Sequence, residues 1–139
     1  GGISSMQAGY EPDGDGLVLR MVGDVSLENN GGFVQVRLPL AVRGSYDASP
    51  HTGIAVEIAG EPGSYYLHLR TRNSRLPWQY YEARLDVTTE WQRLEVPFSS
   101  FSPVSLRGAL DPSELESLGV VGGKTEFRAD IAVRLLEFY

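Results

Sequence analysis

Any acid–base or nucleophilic chemistry in this chain has to be built from two histidines and no cysteine. A histidine serves catalysis when a nucleophile lies within hydrogen-bond reach and a further group holds its tautomer. His51 falls in Ser49-Pro50-His51-Thr52-Gly53, a loop-forming run, and His68 falls in a strand-like stretch beside Arg70. Neither is accompanied by a Gly-x-Ser-x-Gly elbow that would present a serine. The lack of cysteine excludes disulfides, thiolate metal sites and a Cys nucleophile. In Glu11-Pro12-Asp13-Gly14-Asp15-Gly16 acids recur at alternate positions, as at the start of a calcium loop, but the later acids and closing glutamate of an EF-hand are missing. An acidic turn entering a strand explains the same residues, so no cofactor is expected, with a structural calcium near Asp13 and Asp15 as the lesser option. Gly122-Gly123-Lys124-Thr125 looks like the end of a phosphate loop, yet the position that would need its first glycine is Leu118. A turn is the better reading.

Recognition suits these residue types better than catalysis. Where apolar alternates face a core, the opposite faces of the strands carry Gln35, Arg37, Tyr66, His68, Arg70, Tyr80, Glu82, Arg84, Trp91, Arg93 and Glu95. Aromatic rings offer planar stacking, and guanidinium and carboxylate groups offer bidentate hydrogen bonds, a combination used on sugars and proteins alike. From this set, with Arg107 added as another isolated guanidinium on a β surface, the candidate binding residues are Arg37, His68, Arg70, Tyr80, Glu82, Trp91 and Arg107. The competing explanation is a solvated sheet face laced with cross-strand ion pairs, in which Arg37, Arg70 or Arg107 merely partner Glu57, Glu82 or Glu95. Trp91 opens a strand, where a tryptophan often seals the edge of a core.

The elements that must position these groups are strands. Period-two alternation marks strands over 17–22, 33–40, 53–59, 65–71, 80–87 and 92–98, and a tail over 127–139 long enough for one bent strand or two short ones. Asn29-Asn30-Gly31-Gly32 supplies a turn tolerant of positive φ before the second of these. Gly31, Gly32 and Gly108 are read as backbone necessities rather than contact residues. One helix is predicted near 111–118: Asp111 as N-cap, Pro112 at the first helical position, Glu114 as the capping-box acid, Leu110 and Leu115 as a hydrophobic staple, and Gly119 as a left-handed stop. Amphipathic strands of this kind favour antiparallel pairing. Their number and the frequent turns, supported by 16 Gly and 8 Pro in 139 residues, predict a single all-β sandwich domain spanning 1–139.

Charge and length close off other classes. A formal charge of −6 argues against a nucleic-acid partner, whose phosphates call for clustered cations. No segment approaches the roughly 20 apolar residues that cross a bilayer.

Several of these residues also occur in a familiar order. Ser26-Leu27-Glu28-Asn29-Asn30-Gly31-Gly32-Phe33 followed by Val36-Arg37 resembles the central signature of the complex I intermediate-associated protein family. Tyr66-Leu67-x-Leu69-Arg70-Thr71, Tyr80-Tyr81-x-Ala83, Glu90-Trp91-Gln92, Val96-Pro97-Phe98-x-x-Phe101, Arg107-Gly108 and Leu118-Gly119-Val120 follow in that family's sequence, and the Phe127 strand completes it. The opening Gly1-Gly2-Ile3-Ser4 is similar to the end of its Val-Met-Gly-Gly-x-Ser motif, with the preceding strand absent. The departures are that absent first strand, a short segment between Arg107 and Asp111, and Glu126-Phe127-Arg128-Ala129-Asp130 in place of a Gly-Pro-Phe-type run. The resemblance implies a galactose-binding-like jelly roll without a catalytic centre. It implies a protein partner, a membrane-complex subunit or assembly intermediate, in the bacterial cytoplasm or mitochondrial matrix. Carbohydrate-binding modules use the same fold, so a glycan is the alternative partner.

Overall fold

The structure is a computed structural model and describes residues 5–14, 16–28 and 32–139. Ten strands form two antiparallel sheets: β1 (Ser5–Asp13), β2 (Gly16–Val25), β3 (Phe33–Pro39), β4 (Gly53–Gly60), β5 (Tyr65–Thr71), β6 (Tyr80–Leu85), β7 (Gln92–Pro97), β8 (Ser102–Val104), β9 (Leu115–Gly123) and β10 (Phe127–Phe138). The first sheet has the order β1-β2-β10-β4-β7 and the second β3-β9-β5-β6-β8. The chain therefore changes sheets repeatedly, as in a jelly roll, and each sheet turns one face inward. Met21, Ile54, Val56, Ile58 and Ile131 of the first meet Tyr65, Leu67, Leu69, Tyr81 and Leu85 of the second, all nearly or fully buried. Burial of this apolar surface is the main stabilising term of the fold. Tyr65 buries a polar group there as well, and its hydroxyl is satisfied twice. It donates to the Glu61 carbonyl at 2.8 Å and accepts from the Asp130 amide at 3.2 Å, a bond between the sheets.

The expected strands are present, with three additions. β1 is exposed along its described length and contains Gly9 and Pro12, so no alternation announces it. Its backbone ladder with β2, from Ser5↔Asp24 to Asp13↔Gly16, makes it a strand. β8 is three residues held against β6. β9 replaces the second half of the predicted helix. Asp111 does cap as expected, its carboxylate accepting from the Ser113 amide at 3.0 Å, with Pro112 following, but the helical piece is a single 3-10 turn, Pro112–Glu114. From Leu115 onward the chain is the central strand of its sheet, paired with both β3 and β5. An isolated two-turn helix is marginal, and two full strand ladders outweigh it. Gly119 accordingly lies within a strand and is not a helix stop.

The tail is one bent strand. β10 pairs with β2 and β4, and its register with β4 slips between Val133 and Leu135, a bulge at Arg134. Gly108 has φ +90°, the left-handed conformation expected of it. Of Gly122-Gly123-Lys124-Thr125, read as a turn, the two glycines instead end β9, and Lys124, at φ 68°, turns the chain toward β10. Asp15 and Asn29-Asn30-Gly31 lie outside the described residues, as does Gly1-Gly2-Ile3-Ser4.

Candidate functional site

Strand register determines which side chains meet on the outer face of the second sheet. One row across it runs Arg37 (β3), Gly119 (β9), His68 (β5), Glu82 (β6) and Ser102 (β8). The adjacent row runs Gln35, Val121, Tyr66 and Arg84. Of the seven candidate residues, Arg37, His68, Arg70, Tyr80 and Glu82 are brought together on this face. Trp91 and Arg107 are not. Trp91 precedes β7 of the other sheet, where its ring lies under the Arg134 guanidinium at 4.4 Å. Arg93 and Glu95 of the predicted polar face follow it onto that sheet, because the alternation that told inside from outside cannot tell which sheet owns the outside. Arg107 stands exposed in the loop before the 3-10 turn.

At the centre His68 donates from Nε2 to Glu82 Oε2 at 2.7 Å. A carboxylate only accepts, which fixes the proton on that nitrogen. The imidazole stacks on Tyr80 with ring centroids 4.0 Å apart, and Phe33 meets it edge-on at 6.4 Å. Lys124 closes the cluster by bonding Glu82 Oε1, with its ammonium 4.7 Å from the Tyr66 ring centroid. Burial opposes the charged form of Glu82, but the bonds from His68 and Lys124 outweigh it and hold its carboxyl below the ordinary range. The bond to Glu82 likewise raises Lys124, and burial, followed by the Glu82 charge, raises the Tyr80 phenol. A histidine with a carboxylate behind it resembles half of a catalytic triad. Here the bonded nitrogen is spent on Glu82, the ring is packed, and among the described residues no hydroxyl bonds to it.

Arg70 serves the adjoining loop. Its Nη1 donates to the carbonyls of Leu76, Pro77 and Gln79 at 3.1, 3.1 and 3.0 Å, and its Nη2 donates to that of Ser74 at 2.8 Å. These bonds hold residues 74–79 in place, and this loop presents Trp78 at 58% exposure. Burial, and then the neighbouring charge of Arg37, lower the pKa of Arg70. Between Phe33, Gln35, Arg37, Arg70, Pro77, Tyr80 and Ser117 lies a depression enclosing only about 30 Å³. Gly119 forms its floor: a Cβ there would come within 3.1 Å of Gln35 Oε1. Pockets that engulf a small molecule are roughly ten times larger or more. This surface suits a ligand that lies across it.

Sequence reasoning missed Ser117, Gly119 and Trp78. The first two were absorbed into the predicted helix, although six consecutive residues without a charge or polar side chain, 118–123, are the mark of a strand buried on both sides. Trp78 sits in a loop outside any periodic pattern. Among the described residues no group of three or more His, Asp or Glu side chains could hold a metal, and no helix is long and apolar enough to cross a membrane.

Comparison with known proteins bears on the family and the fold. The complex I intermediate-associated protein 30 family matches residues 1–126. No curated protein matches. Among solved structures, the family 11 carbohydrate-binding module of the cellulosomal cellulase Lic26A-Cel5E of Clostridium thermocellum superposes with a TM-score of 0.80 at 14% identity, over 99% of this chain and 83% of that one. The Clostridium thermocellum family 11 module in complex with a β-1,3-1,4-mixed-linked tetrasaccharide gives 0.78 at 14% identity, over 99% and 84%. The structure of PfGH50B gives 0.60 at 12% identity, over 98% of this chain and 22% of that one. At such identities the likeness shows the fold: a galactose-binding-like jelly-roll sandwich.

Proposed function

This chain belongs to the complex I intermediate-associated protein 30 family, and from that premise we propose that it is a binding module without a catalytic centre, whose ligand is an oligosaccharide lying across the outer face of β3-β9-β5-β6-β8. One observation carries the reading: exposed Phe33, at 50%, and half-buried Tyr80 border a shallow polar floor of Gln35, Arg37 and Ser117. Ring faces beside planar hydrogen-bonding groups match the alternation of C–H faces and equatorial hydroxyls on a pyranose. The fixed His68–Glu82–Lys124 network reduces the ordering cost of binding, because these side chains are held before a ligand arrives. The tetrasaccharide complex of the structurally similar family 11 module supports the same reading.

The second reading is a protein partner of the assembly-factor kind, favoured by the family match over residues 1–126. It uses the same face, since exposed Trp and Arg side chains also anchor protein interfaces. Amide chemical-shift mapping with the mixed-linked tetrasaccharide and a panel of gluco-, xylo- and uronic oligosaccharides separates the two. The oligosaccharide reading expects at least one of them to shift amides along β3, β5, β6 and β9. Silence across the panel, with capture of a subunit of a membrane complex from the source cell, would overturn it in favour of the protein partner.

A further inference from the structure

The charge on the proposed binding face departs from that of the molecule around it. The chain carries a formal charge of −6, yet the outer face of the second sheet holds Arg37, Arg70, Arg84 and Lys124 against Glu82. Arg84 is matched at its strand end by Asp86 at 3.3 Å, and Lys124 is matched by Glu82 itself. Arg70 is tied to four neutral carbonyls, with Glu116 the carboxylate that acts on it electrostatically, beyond ion-pair distance. Arg37 has no hydrogen-bond or ion-pair partner among the described residues and lines the depression with Arg70 and Ser117. Two guanidinium groups thus share one small concavity, and the mutual repulsion is not relieved by a carboxylate in contact with either.

Such an arrangement costs stability in the empty protein and is relieved by an anion. Among the described residues nothing bonds the Nε–H of Arg70 beyond its four carbonyl contacts, and the guanidinium of Arg37 is free to clamp a carboxylate in bidentate fashion. Gly119 adds no side chain to the floor, where a Cβ would crowd Gln35 Oε1. We infer that the ligand of this face is an acidic oligosaccharide, with a uronate carboxylate bound by Arg37 beside Ser117 and Arg70. The inference rests on the oligosaccharide reading above and adds the charge of the sugar to it. A glycan is favoured over an acidic peptide because the flanking groups are flat: Phe33, the Tyr80–His68 stack and the Pro77 ring.

The test is calorimetric titration of the protein, at low ionic strength, with matched tetrasaccharides: tetragalacturonate and tetraglucuronate against the neutral mixed-linked β-glucan tetrasaccharide and cellotetraose, plus a Glu-rich octapeptide. The expected result is at least about tenfold tighter binding of a uronate than of either neutral sugar, as a charge-assisted bidentate contact implies. That preference disappears in Arg37→Gln, returns in part in Arg37→Lys, falls with added salt, and is unaffected in Arg93→Gln on the opposite sheet. Equal or tighter binding of the neutral sugars would overturn the inference and leave the oligosaccharide reading standing. Binding of no sugar at all would remove both. Tighter binding of the octapeptide would overturn the inference in favour of a protein ligand.

Discussion

The outer faces of the two sheets handle their charges in opposite ways. On the β1-β2-β10-β4-β7 sheet, the arginines find carboxylates. Arg20 meets Asp130 at 3.0 Å and Glu11 at 3.6 Å, Arg93 meets Glu137 at 2.9 Å and Glu95 at 3.2 Å, Arg134 meets Glu57 at 2.8 Å, and Arg128 meets Asp24 at 3.1 Å. These pairs are solvent-exposed, so they keep the face soluble and add little to stability. On the β3-β9-β5-β6-β8 sheet one carboxylate, Glu82, is half-buried and doubly bonded, while Arg37 has no partner among the described residues. A mixture of arginine, aromatic and acid therefore does not by itself mark a binding surface. The same composition on the first sheet is a satisfied, wetted exterior; on the second its charges remain partly unanswered.

The comparison is tested most severely at Glu82. Replacing it with alanine strands His68 and Lys124, and thermal or urea unfolding should register a loss of roughly 2–3 kcal/mol, the upper part of the range for hydrogen bonds to a charged group. A loss below about 0.5 kcal/mol would make the two faces equivalent. Next in size is Arg70→Met, which frees residues 74–79 from four carbonyl contacts. It should cost about 1.5–2 kcal/mol by the same scale and speed hydrogen exchange of the loop amides. Acid titration comes third. The Glu82 carboxyl is depressed in the folded state, so its stabilisation is complete above the unfolded-state value, roughly pH 4.3, and is lost as pH falls through the lower folded value. Unfolding midpoints measured between about pH 6 and 3 should show that loss in the native protein and a flatter profile in Glu82→Gln. Arg93→Gln, removing two exposed ion pairs, should change stability by less than about 1 kcal/mol. Smallest of all is Arg37→Gln: a stability change within about 0.5 kcal/mol, or a slight gain as its repulsion with Arg70 is relieved. A large loss at Arg37 would show that it has a structural partner and end the contrast.

Most of the sandwich could be read from the chain because its strands are amphipathic. Val34-x-Val36-x-Leu38 and Tyr65-x-Leu67-x-Leu69 state both the strand and its inward face. The residues that escaped are those whose conformation is imposed by neighbours. β1 has no buried side to produce a pattern, and β9 is covered on both faces, so its run of apolar residues competes with a local helix signal from Asp111 and Pro112. The site was legible to the same degree. Arg37, His68, Arg70, Tyr80 and Glu82 could be named from alternation, but assigning Trp91 to another sheet required the strand order, and Gly119 matters for a side chain it does not have. That Arg70 is engaged by its own loop is visible only in three dimensions, since its partners are backbone carbonyls.

The positions of β9 and β10 have a consequence for how the protein is made. β9 joins β3 to β5, and β10 joins β2 to β4. Before these two strands are in place, the first sheet is no more than two hairpin-like fragments, β1-β2 and β4-β7, and the second is β3 apart from β5-β6-β8. Residues 115–139 supply the central strands of both, so neither core layer can close before this hairpin is available. Assembly of the sandwich therefore waits on residues 115–139, whose pairings join strands far apart in the chain. During that wait the inner faces of β2, β4 and β5, rich in Val, Ile and Leu, remain uncovered, and nascent-chain chaperones would find their targets there.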